Sequence, residues 1–174
     1  MMLMLFVGFG FTSWSSKNVK NDVLYTIPIN TQTIEGDIVK NDIYEDYDLT
    51  VVNIMATWCG PCVKEIPELQ EIYEEDNGIG VIGVVYDTYN SKTGASDRKA
   101  IYAAENIKDK TGAKYPFIIP NDDIIDSTLK GRGAILPMTF FVDNKGNILE
   151  GPLAGAKSKE EWLSIINKVK NKNR

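Results

Sequence analysis

Histidine is absent from this 174-residue chain. That removes Ser–His and Cys–His catalytic pairs, imidazole general bases and most zinc or copper sites at once. Cysteine is almost absent: Cys59 and Cys62 are the only two. No apolar run reaches the ~20 residues needed to span a bilayer as a helix. Lys and Arg do not cluster, and the net charge is −5, so nothing suggests a nucleic-acid surface. No Cys-x-x-Cys-His stretch is present to attach haem, and no internal repeat or low-complexity block interrupts the chain.

What remains is ordinary for a water-soluble globular protein: 43% apolar and 25% charged residues, enough for one domain with its own core. The expected boundaries are 1–22 for a signal or anchor remnant with its linker, and 23–174 for the domain. Met1 to Phe11 is apolar throughout and about as long as a signal-peptide h-region, and Ser13-Trp14-Ser15 offers a small-x-small cleavage site. No Lys or Arg precedes the run. A buried N-terminal strand or helix is the alternative. No cysteine follows it, which argues against a lipid-anchored lipoprotein.

Beyond a polar linker over 12–22, Leu24 to Ile29 reads as a short strand broken by Pro28, and Ile34 to Val39 as a hairpin turn. Val51 to Ala56 is a compact apolar run suited to a buried central strand. From Pro61 the spacing turns helical, through Val63, Ile66, Leu69 and Tyr73. Pro61 suits a first helical turn, Pro67 predicts a kink, and Asn77-Gly78 a stop. A buried strand over Ile79 to Tyr86 precedes a polar connection. A helix over Arg98 to Lys110, a short strand over Phe117 to Pro120 and a short helix from Asp122 to Leu129 come next. A hairpin joins Met138–Val142 to Asn147–Glu150. In the final helix Ser158 and Glu161 form a capping box, and Trp162, Ile165, Ile166 and Val169 mark a core-facing stripe. Alternating strands and helices predict an α/β sheet with parallel pairing, to which the hairpin adds antiparallel strands.

Cys59 and Cys62 enclose only two residues. Closing so short a loop removes little unfolded-state entropy, so the pair is poorly placed as a staple and well placed for reversible exchange. Cys59 lies where a strand gives way to a helix. Backbone N–H groups and the helix dipole there favour a thiolate, making Cys59 the attacking sulfur. Cys62, a turn further in, is expected to be less exposed and to resolve the mixed disulfide. A metal site would need ligands from a second chain; an inert pair is the other alternative.

Trp58-Cys59-Gly60-Pro61-Cys62, within the longer run from Asn53 to Leu69, resembles the active-site segment of thioredoxin-like oxidoreductases, and specifically the exported TlpA/ResA type. The likeness extends over residues ~24–170. It implies a thioredoxin fold: a central mixed β-sheet flanked by helices, with an N-terminal β extension and a helix–strand insertion over 97–119. It also implies a redox-active Cys59–Cys62 disulfide with no bound cofactor, in a monomer outside the cytoplasm, secreted or tethered to the outer face of the membrane. Cytosolic thioredoxins carry a buried Asp where this chain has Asn53, which cannot accept a proton. The resemblance points to Glu65 instead, one turn beyond Cys62, as acceptor or relay of its proton; a surface acid in the first turns is the alternative. It implies a cis peptide before Pro137, leaving the Leu136 backbone free to bind an extended substrate. Trp58, Gly60 and Pro61 form the remaining contact surface, with simple packing the alternative for Trp58. Tyr86 and Asp87 suit strand-end packing or the rim of the site, and Glu68, Glu71, Glu74 and Glu75 a solvated face. The implied activity is protein disulfide reduction, fed by a CcdA-type membrane donor, on exported substrates such as apocytochrome c or a methionine sulfoxide reductase. A disulfide-forming oxidase and a redox-inert peptide-binding module are the alternatives. The Gly60-Pro61 dipeptide matches that of reducing thioredoxins, and the missing Thr-x-x-Cys pattern disfavours a peroxidase.

Overall fold

A computed structural model describes residues 25–75, 78–131 and 135–173. The N-terminal apolar run and linker lie outside the described residues. Five strands form the central sheet: β3 (Leu49–Met55), β4 (Ile79–Val85), β7 (Phe117–Ile118), β8 (Met138–Val142) and β9 (Ile148–Ala154), in the order β7-β4-β3-β8-β9. β3, β4 and β7 run parallel, while β8 and β9 are antiparallel additions. All seven residues of β3 and of β4 are buried, as expected for strands covered on both faces.

Alternation along β3 separates two apolar layers. Leu49, Val51 and Met55 face a cluster built with α1 (Gly60–Glu74), α2 (Arg98–Thr111) and α4 (Lys159–Lys172). Val52 and Ile54 face the opposite cluster, with Ile124 of α3 (Asp122–Thr128), Ile27, Ile29 and Tyr44. Asn53 therefore lies among residues that point to the α1/α4 side, a polar group in an apolar strand.

The N-terminal strand is displaced from its expected place. Thr26 makes only an isolated bridge to Asn147, and the ladder forms between β1 (Asn30–Gln32) and β2 (Ile38–Lys40). Pro28, with no N–H to donate, interrupts the earlier segment, while Ile27 and Ile29 enter the core. The polar connection after β4 folds into a small hairpin, β5 (Tyr89–Asn90) and β6 (Ala95–Ser96). β9 runs four residues beyond the expected Glu150. It passes through Gly151 at φ 121° and a cis Gly151–Pro152 bond, which obscured the strand pattern. A proline is tolerated there because β9 is an edge of the sheet. α1 is one continuous helix through Pro67, and the capping box at Ser158 and Glu161 starts α4.

Candidate active site

β3 delivers the chain to the site. Cys59 is the N-cap of α1, and Pro61 occupies an early position where a missing N–H costs nothing. Cys59 and Cys62 are joined as a disulfide. The Cys62 amide donates to Cys59 Sγ at 3.3 Å, so a helix-start N–H is directed at the sulfur expected to carry the thiolate. Cys62 is 1% exposed and Cys59 6%. The expected order holds, but both sulfurs are largely covered. Trp58 is 69% exposed: its side chain stands out in solvent beside the pair. Gly60 and Pro61 are also exposed.

Glu65 is 2% exposed, so it is not a surface acid. Its Oε2 accepts from Asn53 Nδ2 at 3.1 Å. Its Oε1 accepts from the Lys157 amide at 2.8 Å and Trp162 Nε1 at 2.9 Å. Asn53 Nδ2 donates also to Thr139 Oγ1 at 3.0 Å. Burial raises the Glu65 carboxyl above the usual range, while the three donated hydrogen bonds and the nearby Lys157 charge pull it back. The result is a buried acid with both oxygens engaged, one helical turn from Cys62.

The Leu136–Pro137 peptide is cis. Pro137 is buried and its carbonyl accepts from Gly155 N at 2.9 Å. Leu136 is half-buried and its neighbour Ile135 exposed. The main chain of Leu136 has no hydrogen-bond partner among the described residues.

Asp87 was expected at a strand end or the rim of the site, without its partner; the contributions of Trp162 and Lys157 were not recognised in the sequence. Asp87, in the turn after β4, accepts from Thr57 N at 3.0 and 3.2 Å and from Thr57 Oγ1, securing the residue before Trp58. Trp162 read only as a core residue; its buried indole N–H, which needs a partner, was the available signal. Lys157 reaches Glu65 through its main-chain amide as well as its charge, and the amide leaves no residue-type signature. Glu71, Glu74 and Glu75 lie on an exposed face, as expected, and carry surface ion pairs. Glu68 accepts from the Lys159 amide at 2.9 Å. Glu71 and Glu75 pair with Lys159 Nζ at 3.0 and 2.7 Å, and Glu74 pairs with Lys114 at 2.6 Å.

Residues 25–150 match the AhpC/TSA family model. The chain is 30% identical over 118 residues to the thiol-disulfide oxidoreductase ResA of Bacillus thuringiensis (strain Al Hakam), covering 68% of this chain and 61% of that protein. It is 25% identical over 143 residues to the thiol:disulfide interchange protein DsbE of Haemophilus influenzae, covering 82% and 70%. A thioredoxin-family thiol:disulfide interchange protein from Chlorobium tepidum TLS superposes with a TM-score of 0.64 at 21% identity, covering 83% of this chain and 96% of that one; at that identity the likeness concerns the fold, which is thioredoxin-like. The chain thus spans about three-fifths of the length of the ResA relative it matches. With the family model covering most of its length, the chain belongs to the AhpC/TSA family.

Proposed function

We propose that this protein is an extracytoplasmic thiol–disulfide oxidoreductase that reduces protein disulfides. One observation carries the reading: a Cys59–Cys62 disulfide at the start of α1, with the Cys62 amide on Cys59 Sγ and the buried Glu65 a turn beyond.

In the reduced protein, the Cys59 thiolate attacks one sulfur of a substrate disulfide and the other substrate sulfur leaves as a thiolate. Cys62 then gives its proton to Glu65 and attacks Cys59 Sγ, expelling the second substrate sulfur. Two electrons pass to the substrate and the Cys59–Cys62 disulfide forms. A base works best when its pKa approaches the working pH, which is the direction in which burial moves Glu65. The Leu136 main chain beside Pro137, without a partner among the described residues, would take an extended substrate segment, with exposed Trp58, Gly60 and Pro61 forming the rest of the contact. A CcdA-type membrane donor would restore the dithiol. Apocytochrome c and methionine sulfoxide reductase are candidate substrates. The named relatives support thiol–disulfide exchange as the chemistry, and Gly60-Pro61 favours the reducing direction.

The test is the midpoint potential of the Cys59–Cys62 pair, obtained by equilibrating the protein in graded thiol/disulfide buffers and counting alkylated cysteines by mass. A value well below about −220 mV is expected. A value near −120 mV would make the protein an oxidase, and a pair that does not titrate would make it a binding module.

A further inference from the structure

Glu65 receives two of its three hydrogen-bond donors from the far end of the chain. Trp162, 97 residues away, donates its indole N–H to Oε1, and the Lys157 amide donates to the same oxygen. Both groups sit at the start of α4, where N–H groups and the helix dipole favour a carboxylate. The Lys157 ammonium lies 4.7 Å from the centre of the Trp162 ring and is tied to the Ala154 and Gly155 carbonyls at 3.0 and 2.8 Å. Trp162 is itself locked: fully buried, it packs edge-on against Phe141 with ring centres 5.9 Å apart. A rigid indole with one donor, spent on a carboxylate, is more specific than core packing requires.

We infer that Trp162 is a positioning residue for thiol exchange: its indole N–H, with the Lys157 amide, holds the Glu65 carboxyl in place to take the Cys62 proton. The inference rests on Glu65 as the acceptor of that proton. Three ionisable groups bear on Glu65. Lys157 supplies positive charge. Cys62 is the proton donor. Tyr115 stays neutral because burial, and then the Glu65 charge, push its hydroxyl upward. Asn53, from β3, is a donor that does not titrate. Without the indole, ionised Glu65 loses one of three donors, so protonation is favoured and the acceptor is lost first on the acidic side.

The experiment follows resolution of the mixed disulfide between Cys59 and glutathione, by acid quench and mass, from about pH 5.5 to 8.5, using the full chain. Trp162→Phe is expected to slow resolution about 10-fold near pH 6, the equivalent of one charge-assisted hydrogen bond, and less than about two-fold near pH 8.5. Glu65→Gln is expected to be slow and flat across the range, and the double variant to match Glu65→Gln alone. A Trp162→Phe loss by the same factor at every pH, or a double variant showing the product of both losses, would reduce Trp162 to packing. If Glu65→Gln flattens the profile and Trp162→Phe leaves it in place, this inference fails and the Glu65 reading stands. If Glu65→Gln keeps the wild-type profile, the Glu65 reading itself is lost. A second measurement needs no Trp162 variant. In the unmodified protein the Trp162 indole N–H resonance is expected to move with pH through the same transition as the rate, and to stop moving in Glu65→Gln. An indole resonance that ignores the transition would overturn the assignment.

Discussion

Asp87 grips Thr57 from the end of the neighbouring strand, its carboxylate accepting from both the amide and the hydroxyl of a residue 30 positions earlier. The link anchors the last residue before Trp58 and Cys59, at the point where β3 has ended and α1 has not begun. Asp87→Ala strands these donors. It is expected to cost about 1–3 kcal/mol, measured by chemical denaturation, and to slow Cys59 exchange as the turn loosens. Asp87→Asn keeps one acceptor and should recover part of both losses. Equal exchange rates in all three proteins would show that the turn does not depend on the clamp.

Raising the pH should separate wild type from Glu65→Gln in stability. The folded-state pKa of Glu65 is raised by burial over its ordinary value of 4.5, so folding favours the protonated form. Stability from this group is complete below that ordinary value and declines as pH rises through the folded pKa. The melting temperature of wild type relative to Glu65→Gln is therefore expected to be higher at pH 4 than at pH 8. A constant difference would mean that the carboxyl titrates alike in folded and unfolded chains.

Gly146 closes the β8–β9 turn at φ 79°, and a Cβ there would lie 2.8 Å from the Tyr44 ring and 3.2 Å from the Ile27 carbonyl. Tyr44 is fully buried and its hydroxyl donates to that same carbonyl at 3.0 Å. Gly146→Ala is thus opposed by backbone conformation and by contact, and is expected to destabilise by about 1–3 kcal/mol. A melting curve matching wild type would show that the turn relaxes freely.

Thr50 Oγ1 is buried on β3 without a hydrogen-bond partner among the described residues. Thr50→Val replaces the hydroxyl with a methyl of similar shape and is expected to stabilise by up to about 1 kcal/mol. A clear loss of stability would mean that the hydroxyl is satisfied in solution.

The disulfide and its setting were legible because local rules fix them: an apolar run for β3, a proline early in α1, two cysteines one turn apart. The capping box of α4 was legible for the same reason. The environment of Glu65 was not. Its partners come from β3, from the segment before α4 and from α4 itself, and only tertiary packing brings Asn53, Lys157 and Trp162 together. Asn53 in an apolar strand hinted at a buried polar partner, and as a thioredoxin Asp replaced by Asn it seemed only to remove a proton acceptor. In the structure its amide donates to the buried Glu65 carboxyl. Likewise Glu68, Glu71 and Glu74 of α1, with Glu75 at its end, gave only a helix-surface pattern, because Lys114 and Lys159 approach them only after folding.

The Lys157 amide donating to Glu65 at 2.8 Å and the Lys159 amide donating to Glu68 at 2.9 Å stitch the first helix to the start of the last. The cysteine pair and the partners that hold Glu65 are thus encoded in two stretches almost a hundred residues apart. A chimera exchanging only residues 155–173 with those of a relative would keep the Trp-Cys-Gly-Pro-Cys signature and alter the surroundings of its acid, so descent of the motif and descent of the reactivity are separable in this molecule.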